Sequence, residues 1–320
     1  LGLQQKYRGR KQVTNAVQTN GTLIDDEWCR FFRDHDFLVG ISLDGPAQIH
    51  DAYRCMNNGM PSHPRVEAGL RLLQKWGVRY NIPCCVSDVS ANSPLAIYNY
   101  FKTLGAEYLQ FAPIVERRPG ERDRGIGLHH ASPDTRSGKP EMQKGSVGSL
   151  AYGKFLSAVF DEWVRKDVGQ IFVMNFEWAL GAWAGLPASY CIFAPQCGRA
   201  LAVEHNGDVY ACDHYVYPEY LLGNLERDEL GPLLESRVQN EFQMKKGTLP
   251  ANCRSCQYLF ACNGECPKNR FLPGGENYLC KGYRHYFSHI EPYMRRMVQL
   301  LRSGRHPADI RTELEQPGRT

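Results

Sequence analysis

Short apolar runs rich in β-branched and aromatic residues alternate with amphipathic segments from Asn15 to about Leu180. Four of these runs have the length and composition of buried parallel strands, at residues 37–41, 80–82, 108–111 and 171–174. Apolar residues recur near helical spacing at residues 66–76, 94–104 and 152–164. This alternation of strand and helix predicts an α/β sheet or barrel.

The pattern changes in two places. Residues 116–148 are rich in Arg, Gly, Ser, Pro and His with few large apolar residues, which predicts a long loop or insertion. After about Gly185 the chain has short strands and turns, and Asn206-Gly207 predicts a hairpin whose second strand ends at Cys212 and Asp213. Residues 293–301 predict a terminal helix, and a frayed tail is expected beyond Ser303.

Composition and charge narrow the class of protein. A chain of 320 residues is long enough for two domains, each with its own core. The net charge of +4 is modest and dispersed, so we expect no nucleic-acid partner. No apolar run is long enough to span a bilayer and the N-terminal residues resemble no signal peptide, so we expect no membrane association and a cytoplasmic location.

Eight of the twelve cysteines are concentrated in the C-terminal half, and five of them lie within one short stretch. That stretch begins with the spacing C-x2-C-x5-C-x3-C, which lets several sulfurs converge on one centre. Eight thiolates suffice for two four-thiolate metal sites. The eight are Cys191, Cys197, Cys212, Cys253, Cys256, Cys262, Cys266 and Cys280.

Three interpretations compete for these thiols. A disulfide framework is disfavoured because such scaffolds are typically short secreted chains. Structural zinc and iron–sulfur clusters both use four thiolates, and the spacing alone leaves the choice between them open. The other cysteines are Cys29, Cys55, Cys84 and Cys85, all of which we expect to be small buried hydrophobes. Cys84 and Cys85 are adjacent in a predicted strand and point to opposite faces, so they do not easily chelate one centre.

Three short motifs, taken with the cysteine pattern, carry a resemblance to a known family. Gln18-Thr19-Asn20-Gly21 ends one strand, Ser42-Leu43-Asp44-Gly45-Pro46 ends the next, and His50-Asp51-x-x-Arg54 follows. In order and spacing the chain resembles radical S-adenosylmethionine enzymes with a SPASM domain, most closely the anaerobic sulfatase-maturating enzymes. The resemblance implies a partial (β/α)6 barrel over residues 1–185, an auxiliary-cluster domain over 186–290, and a C-terminal helix and tail over 291–320.

The resemblance also implies how cofactors bind. S-adenosylmethionine would lie across the C-terminal ends of the barrel strands. Its expected contacts are Gln18, Thr19, Asn20, Ser42, Asp44 and Arg54. A turn is the structural alternative for Asp44, and a surface ion pair is the alternative for Arg54. One auxiliary 4Fe–4S cluster would be held by Cys191, Cys197, Cys212 and Cys266. The other would be held by Cys253, Cys256, Cys262 and Cys280.

One departure from the family is large. The chain has no C-x3-C-x2-C motif, which in this family holds the radical-generating cluster, and no Gly-Gly-Glu strand end. These elements normally precede the Gln-Thr-Asn-Gly motif, which this chain reaches at residue 18. We therefore expect a barrel that lacks its first strand and helix, and a polypeptide that is inactive by itself.

Asp213, which directly follows Cys212, resembles the catalytic base of the family. Strand alternation would turn its side chain away from Cys212 and toward the barrel mouth. The implied reaction converts a cysteine or serine of a sulfatase into Cα-formylglycine, with Asp213 accepting the proton and the auxiliary clusters the electron. The implied partners are a sulfatase polypeptide and an electron donor such as flavodoxin or ferredoxin.

Two alternative functions are retained. One is another SPASM enzyme that modifies peptides, for example by forming a crosslink, since it would share the barrel and both clusters. The other is a non-catalytic iron–sulfur binding protein. The mass of the peptide product separates the two enzymatic hypotheses.

Overall fold

The computed structural model describes residues 1–135 and 140–315 and has the α/β architecture expected from the sequence. Five parallel strands form one sheet in the order β1-β2-β3-β4-β5. Three further strands form an antiparallel sheet in the order β6-β7-β8. The strands are β1 Asn15–Thr19, β2 Phe37–Ile41, β3 Tyr80–Val86, β4 Tyr108–Pro113, β5 Phe172–Val173, β6 Ala202–Val203, β7 Asp208–Tyr210 and β8 Leu221–Asn224.

Helix α1 precedes the strands, and the other α-helices lie between and after them, together with several short 3-10 turns. They are α1 Gly2–Tyr7, α2 Asp26–Asp34, α3 Ala47–His50, α4 His63–Lys75, α5 Pro94–Thr103, α6 Glu121–Gly125, α7 Ser149–Lys166, α8 Met174–Trp183, α9 Leu230–Leu234, α10 Arg237–Lys245, α11 Ala251–Arg254, α12 Leu259–Cys262, α13 Cys280–Arg302 and α14 Ile310–Glu315.

Local chemistry explains where the helices next to the parallel strands begin. Helix α2 starts after Asp25, whose carboxylate accepts a hydrogen bond from the Trp28 N–H at 2.8 Å. Helix α5 starts at Pro94, whose fixed φ suits the first helical position. The predicted strand at 171–174 is shorter than expected because Met174 already begins α8.

The chain divides into two compact units. The first comprises Leu1–Ile114 and Ala158–Asn175, and contains the parallel sheet. The second comprises Val115–Ser157 and Phe176–Thr320, and contains the antiparallel sheet with the eight clustered cysteines. The domain boundaries predicted at residues 185 and 290 stay predictions, as does the absence of a first barrel strand.

The C-terminal region is more ordered than expected. Helix α13 begins at Cys280 instead of residue 293, and its buried face continues through Tyr286 and Ile290 on the N-terminal side of Pro292. The expectation of a tail after Ser303 is wrong for the described residues up to 315. Ile310 is buried, and Glu313 accepts hydrogen bonds from Arg296 at 2.6 Å. Within the described ranges, no helix combines the length and the apolar character needed to cross a membrane.

Candidate functional site

The first group of predicted site residues follows two neighbouring parallel strands of the first unit. Strand β1 ends at Thr19 and β2 ends at Ile41, so Asn20 and Ser42 leave the sheet at the same edge. The Ser42 N–H donates to the Thr19 carbonyl at 2.9 Å, which joins the two strand ends directly. The Gln18 side chain belongs to the same edge and is exposed. Ser42 is buried.

Asp44 and Arg54 form an ion pair that is partly withdrawn from water. Arg54 Nε lies 2.5 Å from Asp44 Oδ2, and Asp44 Oδ1 accepts the Cys85 N–H at 2.8 Å. Asp44 is only 6% exposed, so this pair is not the surface pair considered as an alternative for Arg54. The carboxylate thereby ties the end of β2 to β3 and to the segment after α3.

His50, which begins the His50-Asp51-x-x-Arg54 motif, has a structural role in this group that the sequence did not predict. It is 1% exposed, and its Nδ1 accepts the Asp44 N–H at 3.2 Å. In the neutral ring the proton therefore sits on Nε2, which donates to Ser62 Oγ at 3.0 Å. The Ser62 hydroxyl in turn donates to the Arg54 carbonyl at 2.8 Å. Burial lowers the pKa of His50 to about 4, although the charge of Asp44 opposes the shift.

The second group of site residues comprises the thiols of the second unit, which line two cavities. The first cavity is lined by Cys191, Cys197, Cys212 and Cys266. The second cavity is lined by Cys253, Cys256, Cys262 and Cys280. All twelve cysteines of the chain are free, so the disulfide hypothesis is wrong. The division into two sets of four is the arrangement that two four-thiolate centres require.

A tight backbone turn explains how Cys262 and Cys266 reach different cavities despite their spacing. Three consecutive residues between them, Asn263–Glu265, have positive φ angles of 47°, 72° and 54°. The buried Arg270 guanidinium donates to the carbonyl oxygens of all three, at 2.9–3.0 Å. A Cβ at Gly264 would lie 2.7 Å from Arg270 Nη2, so a side chain there would disturb this arrangement.

The thiols fit a metal centre chemically. Burial raises the pKa of Cys212 to about 12 and that of Cys280 to about 11, so both keep their protons when no cation is near. A metal ion stabilises the thiolate form and releases those protons. Lys246 lines the first cavity, and its buried ammonium donates to the carbonyl oxygens of Cys191 and Ile192 at 2.5 and 2.8 Å. That contact holds the segment that carries the first thiol.

The four remaining cysteines lie outside these cavities, in the first unit. Cys29 and Cys84 are buried as expected. The expectation is wrong for Cys55, which is exposed because it lies in a loop bridge opposite Pro61. Cys85 is only partly buried, and its sulfur lies 3.4 Å from Arg54 Nη2.

Asp213 lies beside the Cys212 thiol, so the expected strand alternation is wrong. Strand β7 ends at Tyr210, and residues Asp213–Tyr215 form a 3-10 turn. Cys212 Sγ lies 3.1 Å from Asp213 Oδ1, and that oxygen also accepts the His214 N–H at 3.0 Å. Because the turn replaces the extended backbone, the carboxylate and the thiol lie on the same side.

A polar cavity adjoins the first thiol cavity. Asp213 and His214 line both of them and therefore form a shared wall. Segment 116–148, predicted as an insertion, contributes Glu116 and His130 to the polar cavity. Glu116 pairs with Lys268 at 3.0 Å, which places both charges near Asp213. The arrangement brings a carboxylate, a group of polar side chains and a four-thiol centre together.

A buried arginine holds residues 117–135 of this segment together. The Arg117 guanidinium donates to the carbonyl oxygens of Ser132 and Thr135 at 2.6 and 2.7 Å and lies over the Phe271 ring at 4.5 Å. This side chain lies against the polar cavity, and no sequence motif marked it.

Comparison with known proteins gives consistent matches. The SPASM model, described as an iron–sulfur cluster-binding domain, matches residues 191–257. A serine-type anaerobic sulfatase-maturating enzyme of Bacteroides thetaiotaomicron is 45% identical, over 98% of this chain and 77% of the relative. A cysteine-type enzyme of Clostridium perfringens is 29% identical, over 91% of this chain and 76% of the relative.

A solved structure described as native anSMEcpe with bound AdoMet and Kp18Cys peptide is also similar. The TM-score is 0.81 at 29% sequence identity, covering 93% of this chain and 79% of that one. The similarity therefore extends over the parallel sheet and the cysteine-rich region.

Proposed function

Because this chain belongs to the anaerobic sulfatase-maturating enzyme family, we propose that it oxidises an active-site cysteine or serine of a sulfatase to Cα-formylglycine by radical S-adenosylmethionine chemistry. Identity is 45% to a serine-type relative and 29% to a cysteine-type one, which favours serine as the target. The observation that carries the proposal is the wall of Asp213 and His214 between a four-thiol cavity and a polar cavity.

The proposal assigns the thiols to two auxiliary 4Fe–4S clusters. The first would be held by the set that includes Cys212 and Cys266, and the second by the set that includes Cys262 and Cys280. The match to an iron–sulfur family model supports iron over zinc, which the spacing left open. When bound, the clusters accept single electrons, and S-adenosylmethionine supplies the radical that removes a hydrogen atom from the substrate Cβ.

The strand ends of the first unit would bind S-adenosylmethionine. The proposed contacts are Gln18, Thr19, Asn20, Ser42, Asp44 and Arg54. The Asp44–Arg54 pair and His50 hold this edge in one conformation, which supports a binding role because a rigid polar edge orients a ligand without further ordering.

Asp213 would remove the proton. After the hydrogen atom leaves Cβ, the hydroxyl of a serine substrate must lose a proton and the carbon must lose one electron to give the aldehyde. The Asp213 carboxylate lines the polar cavity, where a substrate side chain could reach it, and is 3.1 Å from a proposed cluster ligand. The proton and the electron would therefore leave the substrate on the same side of the polar cavity, next to Asp213 and the first thiol set.

The polar cavity would receive the sulfatase polypeptide around the modified residue. A relative in a similar structure is described with a bound peptide, which supports a peptide substrate here. We further propose that an electron donor such as flavodoxin or ferredoxin serves the enzyme. Residues 1–320 have no C-x3-C-x2-C motif, so we expect this polypeptide by itself to leave S-adenosylmethionine uncleaved.

The first experiment is a measurement of iron, zinc and acid-labile sulfide in the chain purified without oxygen. We expect roughly eight irons and eight sulfides per chain, the content of two 4Fe–4S clusters. About two zincs without sulfide would overturn the electron-acceptor role of the thiols.

The second experiment tests the reaction. The chain would be joined to an upstream segment of the Bacteroides thetaiotaomicron relative that carries a C-x3-C-x2-C motif, then incubated with S-adenosylmethionine, a reductant and a sulfatase peptide that contains the target serine. We expect the peptide to lose two hydrogen atoms in mass and to react as an aldehyde. A crosslinked peptide, or cofactor cleavage with an unmodified peptide, would contradict the proposal.

A further inference from the structure

We propose that His214 is a positioning residue that donates a hydrogen bond from Nδ1 to the sulfur of Cys266 and so raises the reduction potential of the first auxiliary cluster. This inference rests on the proposed function, because it requires a cluster at Cys191, Cys197, Cys212 and Cys266. Its starting observation is the contact between His214 Nδ1 and Cys266 Sγ, at 3.8 Å.

The backbone holds His214 in place from both sides. On one side, the His214 N–H donates to Asp213 Oδ1 at 3.0 Å. On the other side, Tyr215 is buried against the rings of Tyr220 and Phe242, with centroids 4.7 and 5.0 Å away. The Tyr215 N–H also donates to the Cys212 carbonyl at 2.9 Å. The backbone of the histidine is thus fixed between a proposed base and an aromatic anchor.

A hydrogen bond from the His214 ring to the Cys266 sulfur would favour the reduced state of the cluster. A 4Fe–4S cluster gains negative charge on reduction, and an N–H donor to a ligand sulfur stabilises the more negative state. Groups that contact metal ligands commonly tune the metal centre in this way. A higher potential makes the cluster a better acceptor for the electron that the substrate must release.

Lys246 also lines this cavity, but its side chain makes different contacts. The Lys246 ammonium donates to two backbone carbonyls instead of a thiol. The His214 ring instead places a side-chain nitrogen 3.8 Å from a thiol of the first set. Because His214 also lines the polar cavity, it connects the cluster ligand with the region where Asp213 would take the proton.

A competing interpretation is that His214 is itself a metal ligand. The ligand atoms of Cys212, Asp213 and His214 lie within 4.8 Å of one another. The four-thiol set already completes a cluster without the imidazole, which favours the tuning role. The two roles predict different iron contents after substitution.

The test is a redox titration, followed by electron paramagnetic resonance, of the chain with its clusters. In His214→Phe we expect iron and sulfide to equal the unsubstituted chain, one midpoint potential to fall and the other to stay. A tenfold change in the reduction equilibrium corresponds to about 59 mV for one electron, which is the size of shift expected. His214→Asn retains an N–H donor near the Nδ1 position and should restore most of the potential.

His205→Phe is the control, because His205 is an exposed residue of the β6–β7 turn and lines neither cavity. Unchanged potentials in His214→Phe would overturn the inference. Loss of about four irons in both His214 variants would overturn it as well, since His214 would then be a ligand or a structural support. An unsubstituted chain without clusters would instead refute the proposed function.

Discussion

At the scale of single residues, the contacts of Asp213 and His50 follow from the local backbone and could not be predicted from their sequence motifs. Asp213 lies beside the Cys212 thiol because a 3-10 turn follows β7. His50 looks like part of a sequence motif but serves as a buried acceptor for the backbone of Asp44. Asp213 is exposed and His50 is buried, and each supports a prediction of its own.

Asp213→Asn should abolish product formation while leaving the clusters intact. The amide keeps the size of the side chain but cannot take a proton, and loss of a base typically lowers a rate on the order of a hundredfold to ten-thousandfold. The assay is formylglycine formation by the chain joined to the three-cysteine segment, with iron content measured in parallel. Glu204→Gln, in the exposed hairpin turn, is the control. Full turnover by Asp213→Asn would remove the residue from the mechanism.

His50 should make the first unit less stable in mild acid. Its pKa is lowered from 6.5 to about 4 because burial disfavours the charged ring. As the pH falls below 6.5 the unfolded state binds a proton that the folded state does not, so stability is lost progressively down to pH 4. The loss amounts to about 3 kcal/mol over that range.

The measurement for His50 is urea unfolding between pH 7.5 and 4, in the unsubstituted chain and in His50→Asn. The asparagine can still accept the Asp44 N–H but does not titrate. We expect a smaller dependence of unfolding free energy on pH in the variant, because its asparagine does not titrate. Both proteins have the same clusters, so any effect of pH on the clusters is common to the two. Equal pH slopes would show that His50 does not contribute.

At the scale of elements, α13 and the N-terminal part of α7, both in the second unit, cross at glycines. A Cβ at Gly282 of α13 would lie 2.0 Å from the Ser149 carbonyl oxygen of α7, and one at Gly153 would lie 2.3 Å from the Gly282 oxygen. The Gly282 N–H also donates to Ser149 Oγ at 3.0 Å. Since α13 begins with Cys280, this crossing also determines where one thiol of the second set lies.

Gly282→Ala should therefore destabilise the protein and weaken the second cluster. The added methyl group meets backbone atoms that cannot move independently, so we expect a loss of about 2–3 kcal/mol. Gly181→Ala is the matched control, because Gly181 is also helical but has open space around its Cβ position. That variant should be neutral or slightly more stable. Thermal unfolding measures the change in stability, and iron content measures the loss of the cluster. A Gly282→Ala protein as stable as the control would contradict the close crossing of the two helices.

At the scale of the whole molecule, the eight thiols fall into two sets that interleave along the chain. Cys266 lies only four positions after Cys262 but lines the cavity of Cys191 and Cys212. Such an exchange occurs where the backbone reverses direction, here at the three left-handed residues held by Arg270.

Serine substitutions should reveal this interleaving. We expect Cys266→Ser and Cys212→Ser to lose the same cluster, and Cys262→Ser to lose the other one. Mössbauer and paramagnetic resonance spectra of each variant identify the cluster that remains. If Cys262→Ser and Cys266→Ser gave the same spectrum, the proposed partition would be wrong.

The sequence by itself determined the α/β class, most of the strands, several of the longer helices, the family, and the eight thiols as candidate ligands. Hydrophobic periodicity and cysteine spacing are local properties, so they can be read without a structure. It did not predict the longer α13, the ordered segment after Ser303 or the exposure of Cys55, because each depends on contacts with distant residues.

Only the tertiary structure decided which residues meet. It turned the Asp213 carboxylate toward Cys212, made His50 a support for Asp44, and brought His214 to the sulfur of Cys266. A single turn in the backbone changes the face on which a side chain lies. The spacing of residues along the chain does not predict where such a turn occurs. The chemistry of the site therefore comes from the residue types, while its geometry comes from the fold.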